Sequence, residues 1–309
     1  MNKSSNNHEK SFKGLWPALF TPVNHKGKLN SKELEKLIEL QIKEGVDGFY
    51  LLGSTGQGFL FNEKERMRIA EESIAIINGR LPVMVHVGAL NTEESVRLAK
   101  HAVKVGSDAV SSVGPIYYNA TVPMALEHYR RIATATDRPF FPYQLGNFKT
   151  TDEFIAGLIE IPNIGGMKLT TGDLLEISSI YQKGRKDWSL FSGADELLCH
   201  AALCGTAGAI GTSYNLIGNT CKEIRRSFLE GEVKVGAEFM LFLQKVIEEV
   251  LPVIWTFFQR AMILRHGIDI GNPKSPLLAA ELPFGDEKVM EMVNKLESYK
   301  DRLVGVTAR

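Results

Sequence analysis

The sequence predicts a single (β/α)8 barrel, the TIM-barrel arrangement of the α/β class, followed by a C-terminal helical extension. Three observations lead there. Eight short apolar runs recur along the chain, mostly without polar alternation, as strands buried on both faces of a parallel sheet require. Helix-length amphipathic segments separate them. After Ser213 the pattern is helical to the end. A closed barrel flanks every strand and leaves no edge; an open doubly wound sheet is the alternative.

In chain order the strands are expected at 15–20 (LWPALF), 47–53 (DGFYLLG), 82–88 (PVMVHVG), 108–113 (DAVSSV), 139–143 (PFFPY), 163–168 (NIGGMK), 188–193 (WSLFSG) and 207–212 (AGAIGT). The first helix has a cap at Ser31 and apolar positions at Leu34, Leu37, Ile38 and Ile42. The next opens at Asn62-Glu63. Thr92, ahead of Glu93 and Glu94, and Thr151-Asp152-Glu153 start two more, with acidic residues at the positive end of the helix dipole. Gly45, Gly79 and Gly106 follow helical runs where a left-handed cap is wanted. Residues 214–231 complete the eighth unit, and 232–305 should hold two or three further helices punctuated by Pro252, Pro273, Pro276 and Pro283. The boundaries expected are a flexible N-terminal segment at 1–12, the catalytic barrel at 13–231 and the extension at 232–309.

Composition narrows the function. The 309 residues carry 36 Lys+Arg against 36 Asp+Glu, and 44% are apolar. Zero net charge argues against a nucleic-acid or membrane-surface binder. No apolar stretch is long enough to span a bilayer, and the polar start (MNKSSNNHEK) lacks the apolar core of a signal peptide. A cytoplasmic location is expected. Cys199, Cys204 and Cys221 form no CxxC and no disulfide framework. Nothing resembles a metal-binding spacing, and no metal or organic cofactor is expected.

In such a barrel, chemistry gathers at the carboxyl ends of the strands. Gly53-Ser54-Thr55-Gly56-Gln57-Gly58 follows strand 2. It matches neither GxGxxG nor a Walker loop, yet its N–H groups and hydroxyls suit a carboxylate or phosphate; a tight turn is the plain alternative. Lys168 ends an apolar strand with no other charge. Held in the barrel mouth it would lose water, which favours the neutral, nucleophilic amine that a Schiff base requires. Tyr143 ends the adjacent strand, so its phenol can converge on that amine and move protons, or else simply plug the strand end. Asp195 and Glu196 after strand 7 suit sugar hydroxyls, a hard cation or a helix cap. His86 and His200 read as bonded core or rim histidines, and Cys199 and Cys204 as small buried apolar residues.

These residues stand in motifs whose order resembles the N-acetylneuraminate lyase and dihydrodipicolinate synthase superfamily of pyruvate-dependent class I aldolases. The likeness runs from about Leu15 to Arg309 and rests on YLLGSTGQGF (50–59), HVGA (86–89), DAVSSVGPIYY (108–118), GMKLTTGDL (166–174), FSGADE (191–196) and GAIGTSYN (208–215). It is most like the N-acetylneuraminate lyase branch, which has GSTGE where the synthases have GTTGE. The synthases also place an arginine five residues beyond the catalytic tyrosine; here that position is Phe148.

The resemblance implies that Lys168 forms the Schiff base and Tyr143 transfers the proton. By the same resemblance Ser54 and Thr55 hold the pyruvate carboxylate, while Thr170, Gly193, Asp195, Glu196 and Thr212 contact the sugar chain. Tyr117 matches a tyrosine that neighbours the catalytic one, often across a subunit interface, and a homotetramer is implied. Two departures stand out. Family members read Tyr-Asn-x-Pro at strand 5, against Tyr143-Gln144-Leu145-Gly146 here, and the loop before Lys168 is a few residues short. The implied reaction is reversible cleavage of N-acetylneuraminate to pyruvate and N-acetylmannosamine. The rivals are an aldolase for another 2-keto-3-deoxy sugar acid, a non-catalytic oxo-acid binder and a phosphate-binding isomerase. The last expects glycine-rich turns after strands 7 and 8, and Asp195-Glu196 would repel phosphate.

Overall fold

A computed structural model describes residues 11–146 and 150–304 of the protein. Every apolar run becomes a strand: β1 (Gly14–Pro17), β2 (Phe49–Leu51), β3 (Val83–His86), β4 (Ala109–Val113), β5 (Phe140–Gln144), β6 (Gly166–Leu169), β7 (Ser189–Ser192) and β8 (Gly208–Gly211). All pair in parallel in the order β1-β8-β7-β6-β5-β4-β3-β2. The first strand is shorter than expected because it changes partner. Gly14 to Pro17 pair with β8, then Ala18 bridges Tyr50, and the Leu19 N–H donates to the Tyr50 carbonyl at 2.9 Å. That switch brings β1 to β2 and closes the ring, so the open doubly wound sheet is set aside.

Period-two alternation sends neighbouring side chains to opposite faces. Trp16, Tyr50, Met84, Ala109, Phe141, Phe191 and Ile210, one from each of seven strands, fill the barrel interior. Leu15, Phe49, Val83, Phe140, Met167, Leu190 and Ala209 face the helices in the larger core. Both faces are apolar, which is why the strands read as unbroken apolar runs. Phe12 lies against the interior cluster, its ring 5.2 Å from that of Phe141; residues 1–10 of the N-terminal segment lie outside the described residues.

The helices follow in alternation: α1 (Ser31–Lys43), α2 (Glu63–Ile77), α3 (Thr92–Lys104), α4 (Val122–Ala133), α5 (Asp152–Ile159), α6 (Leu174–Lys183), α7 (Leu198–Leu203) and α8 (Tyr214–Leu229). Two caps sit one residue earlier than expected. Asn30 accepts from the Glu33 N–H, and Asn91 from the Glu94 N–H, which makes Ser31 and Thr92 the first helical residues. Asparagine is a strong cap, and Thr92 instead bonds His128 Nδ1 at 2.9 Å. Asn62 forms a reciprocal capping box with Glu65, and Thr151 caps α5. The three glycines expected to stop helices all have positive φ. After the barrel come α9 (Val233–Val250), α10 (Ile254–His266) and α11 (Asp286–Val304). Gln244 of α9 reaches back to donate to the Glu196 carbonyl at 2.8 Å, tying the extension to the rim of the barrel. No described helix is long and apolar enough to cross a membrane.

Candidate active site

Parallel register brings the reactive pair together. Tyr143 on β5 and Lys168 on β6 are direct pairing partners. Inward positions on adjacent strands place both side chains in the mouth, where Lys168 is 4% and Tyr143 3% exposed. Lys168 Nζ lies over the Tyr143 ring at 4.1 Å from its centroid and over the Tyr50 ring at 4.5 Å. Two ring faces hold the amine in place while water is excluded. The Tyr143 hydroxyl hydrogen-bonds Thr170 Oγ1 at 3.2 Å. Gly193, on the turn after β7, completes this corner. A Cβ there would fall 2.1 Å from Thr170 Oγ1 and 3.0 Å from Lys168 Cε, so only glycine leaves room beside the amine.

The glycine-rich turn after β2 divides its hydroxyls. Ser54 is exposed, while Thr55 is buried and shares a 2.7 Å hydrogen bond with Thr212 beyond β8. Asn215 supports that end: its Nδ2 donates to the carbonyls of Ala18 and Thr212 at 2.8 and 2.9 Å. The turn itself is braced from outside by Gln57, whose Oε1 accepts from the Lys274 N–H at 2.7 Å.

Asp195 and Glu196 are neighbours in sequence with opposite surroundings. They sit on a 3-10 turn, Asp195–Leu197. Glu196 is exposed, whereas Asp195 is 8% exposed and accepts from the Ser213 N–H at 2.7 Å through Oδ2. Its Oδ1 is buried against Gly211, where a Cβ would come within 1.7 Å. Burial pushes the Asp195 carboxyl up to about 6, against the opposing pull of the Ser213 N–H and of Lys168. The folded state therefore holds this proton more tightly than the unfolded chain. The stability it contributes is fully present below the ordinary aspartate pKa and is lost as pH rises through about 6. Relative to Asp195→Asn, the parent should lose about 2 kcal/mol between pH 4 and 7. Denaturant midpoints across that range check this, and parallel profiles would refute it.

His86, beneath the mouth, is a bonded core histidine. Its Nε2 accepts from the Val113 N–H at 3.1 Å and its Nδ1 donates to the Leu52 carbonyl at 3.2 Å. Burial, with Arg66 and Lys168 nearby, keeps it well below the usual histidine range and neutral. His200 lies exposed on the rim. Cys199 is buried, but Cys204, at the end of α7, is only half-buried. Tyr117 stands apart from the cluster within one chain: it is 80% exposed and packs edge-on against Tyr118. Phe148 lies outside the described residues. No group of three or more His, Cys, Asp or Glu that could hold a metal occurs among the described residues.

Three participants were not singled out from sequence. Tyr50, second face of the lysine clamp, donates or accepts at Ser111 Oγ over 3.0 Å and reads in sequence as another core aromatic. Arg66, on the amphipathic α2, reads as solvated but is 2% exposed and donates to the carbonyls of His86 and Gly88 at 2.9 and 2.8 Å. Its burial lowers it to about 10. The Gln57–Lys274 tie spans parts of the chain too distant to pair by pattern. Tyr50 at least had a signal, since it opens the motif that contains Ser54 and Thr55.

Comparison with known proteins shows the family. The sequence pattern of the dihydrodipicolinate synthetase family matches residues 11–295. The N-acetylneuraminate lyase of Citrobacter koseri is 35% identical over 284 residues, 89% of this chain and 95% of that protein. The N-acetylneuraminate lyase of Salmonella typhimurium is 34% identical over 291 residues, 93% of this chain and 96% of that protein. Among solved structures, the N-acetylneuraminate lyase (sialic acid aldolase) of Aliivibrio salmonicida superposes with a TM-score of 0.83 at 28% identity, covering 94% of this chain and 97% of that one. With its family pattern matched from Ser11 to Lys295 and the barrel shared, the chain belongs to the dihydrodipicolinate synthetase family of enzymes.

Proposed function

We propose that the protein is a Schiff-base aldolase that reversibly cleaves N-acetylneuraminate to pyruvate and N-acetylmannosamine. The observation that carries this reading is the buried Lys168 amine in register with Tyr143, their groups 4.1 Å apart by nitrogen to ring centroid. Lys168 Nζ attacks the C2 carbonyl, and loss of water leaves a protonated imine. The imine accepts the electron pair of the C3–C4 bond as that bond breaks, giving an enamine. The Tyr143 oxygen takes the C4 hydroxyl proton, and the aldehyde leaves. Protonation at C3 and hydrolysis by water then release pyruvate and restore the lysine.

The other residues bind and orient. Thr55 and Ser54 with the N–H groups of their turn hold the carboxylate, and Thr212 fixes the Thr55 hydroxyl. Thr170 holds the Tyr143 phenol in place. Glu196, exposed at the rim, and Asp195 below it accept from the hydroxylated tail. Two carboxylates would not suit the pyruvate end, where another carboxylate binds. Tyr117 belongs with a neighbouring copy in an assembly such as a homotetramer.

Pyruvate release from a panel of sialic and 2-keto-3-deoxy sugar acids tests the reading. Cleavage of N-acetylneuraminate is expected. If it is ignored while a shorter keto acid is split, the altered loop after Tyr143 has redirected specificity and the rival aldolase reading replaces this one. Glu196→Ala should lower kcat/KM for N-acetylneuraminate about ten- to a hundredfold, the worth of a hydrogen bond to a charged acceptor. Pyruvate, which has no tail, should form its imine at nearly the parent rate. An unchanged kcat/KM would mean the tail is not read at Glu196.

A further inference from the structure

The mouth has a second compartment. A cavity of about 220 Å³ runs from the rim of the barrel to the appended helices. Its edge is polar, made by Gly193, Asp195, Glu196, Thr212 and Ser213. Its walls are apolar, with Ile217 from α8, Leu243, Val246 and Val250 from α9, and Phe257 and Phe258 from α10, all buried. Gly193 borders both this space and the reactive corner, since a Cβ on it would fall 3.0 Å from Lys168 Cε. Helix α8 leaves helical geometry at Ile217, with φ −129° and ψ 33°, on the cavity wall.

A close-packed interior carries few voids larger than a water molecule. An apolar space of this size beside a reactive amine is thus better read as room for part of a ligand than as loose packing. A chain bearing only hydroxyls matches the edge but not the walls, since hydroxyls buried without partners are costly. The edge also selects against anions: among the described residues, the ionisable groups on it are the carboxylic acids of Asp195 and Glu196, and no lysine or arginine lines the cavity. The matching ligand is polar at the edge, and neutral and aliphatic beyond it.

We propose that this compartment takes an aliphatic acyl group longer than acetyl, carried by the 2-oxo sugar acid as an amide or ester, so that the enzyme prefers such acylated substrates. The proposal rests on the aldolase reading above. Two substrate series test it, one lengthened at the amide of N-acetylneuraminate and one acylated at its terminal hydroxyl, each from acetyl through propanoyl to butanoyl. Going from acetyl to butanoyl buries two more methylenes and should raise kcat/KM on the order of tenfold in at least one series; the series that rises identifies the bond carrying the acyl group. In Val246→Phe and Leu243→Trp, which fill the cavity, the butanoyl-to-acetyl ratio should fall to one or below. A flat or falling ratio in both series for the parent enzyme, with N-acetylneuraminate itself cleaved, overturns this inference alone. Failure to cleave N-acetylneuraminate or any member of either series, with no trapped pyruvate imine, overturns the aldolase reading with it.

Discussion

Lys168→Ala is expected to abolish pyruvate release while leaving the barrel folded. Borohydride added with pyruvate to the parent protein should inactivate it and leave a single covalent adduct on Lys168. The expectation follows from chemistry that no other described group in the mouth can supply. The step needs an amine that is buried, positioned and free to attack a carbonyl. Lys168 alone among the residues of the eight strands meets those terms, clamped between the Tyr50 and Tyr143 rings. Loss of the amine need not cost the fold. The side chain places a polar group in a buried position, and removing it relieves the cost of its desolvation. Thermal melting of the variant at or above the parent's midpoint would separate loss of chemistry from loss of structure. An adduct on another lysine, or none, would end the Schiff-base reading.

How much of this was legible in sequence depended on whether the signal was local. The eight strands were legible because each is buried on two faces and so reads as a continuous apolar run. Lys168 was legible for the related reason that one charge interrupts such a run at its end. Its pairing with Tyr143 followed from parallel order alone. The Asn30 and Asn91 caps were displaced by one residue because Ser31 and Thr92 are also competent caps, and only backbone geometry decides between them. Asp195 and Glu196 could not be told apart, since a 3-10 turn sends adjacent side chains to different surroundings. Arg66 was hidden for a different reason. On an amphipathic helix a long cationic side chain reads as solvated, and here it turns inward to bond the carbonyl ends of β3. Tyr117 shows the limit of a single chain: within it the ring is exposed and packs against Tyr118, which assigns it no role.

Tyr143→Phe is expected to slow cleavage by ~10² to 10⁴, the usual worth of a positioned acid–base group, while imine formation stays measurable. The substitution is a sharp one here. Phenylalanine keeps the ring whose centroid lies 4.1 Å from Lys168 Nζ and the apolar packing of the strand end, so the amine stays clamped. Only the hydroxyl is lost, and with it the 3.2 Å hydrogen bond to Thr170. If the phenol moves the C4 proton, the defect must fall on C–C bond cleavage and not on the capture of pyruvate. Single-turnover measurement separates the two: borohydride trapping reports the imine, and aldehyde release reports the cleavage. Thr170→Val serves as the companion, because it leaves the phenol present but unanchored and should give a smaller loss in the same step. An unchanged turnover number in Tyr143→Phe would show that the residue only plugs the strand end. A loss confined to imine formation would instead assign the phenol to the lysine rather than to the C4 hydroxyl.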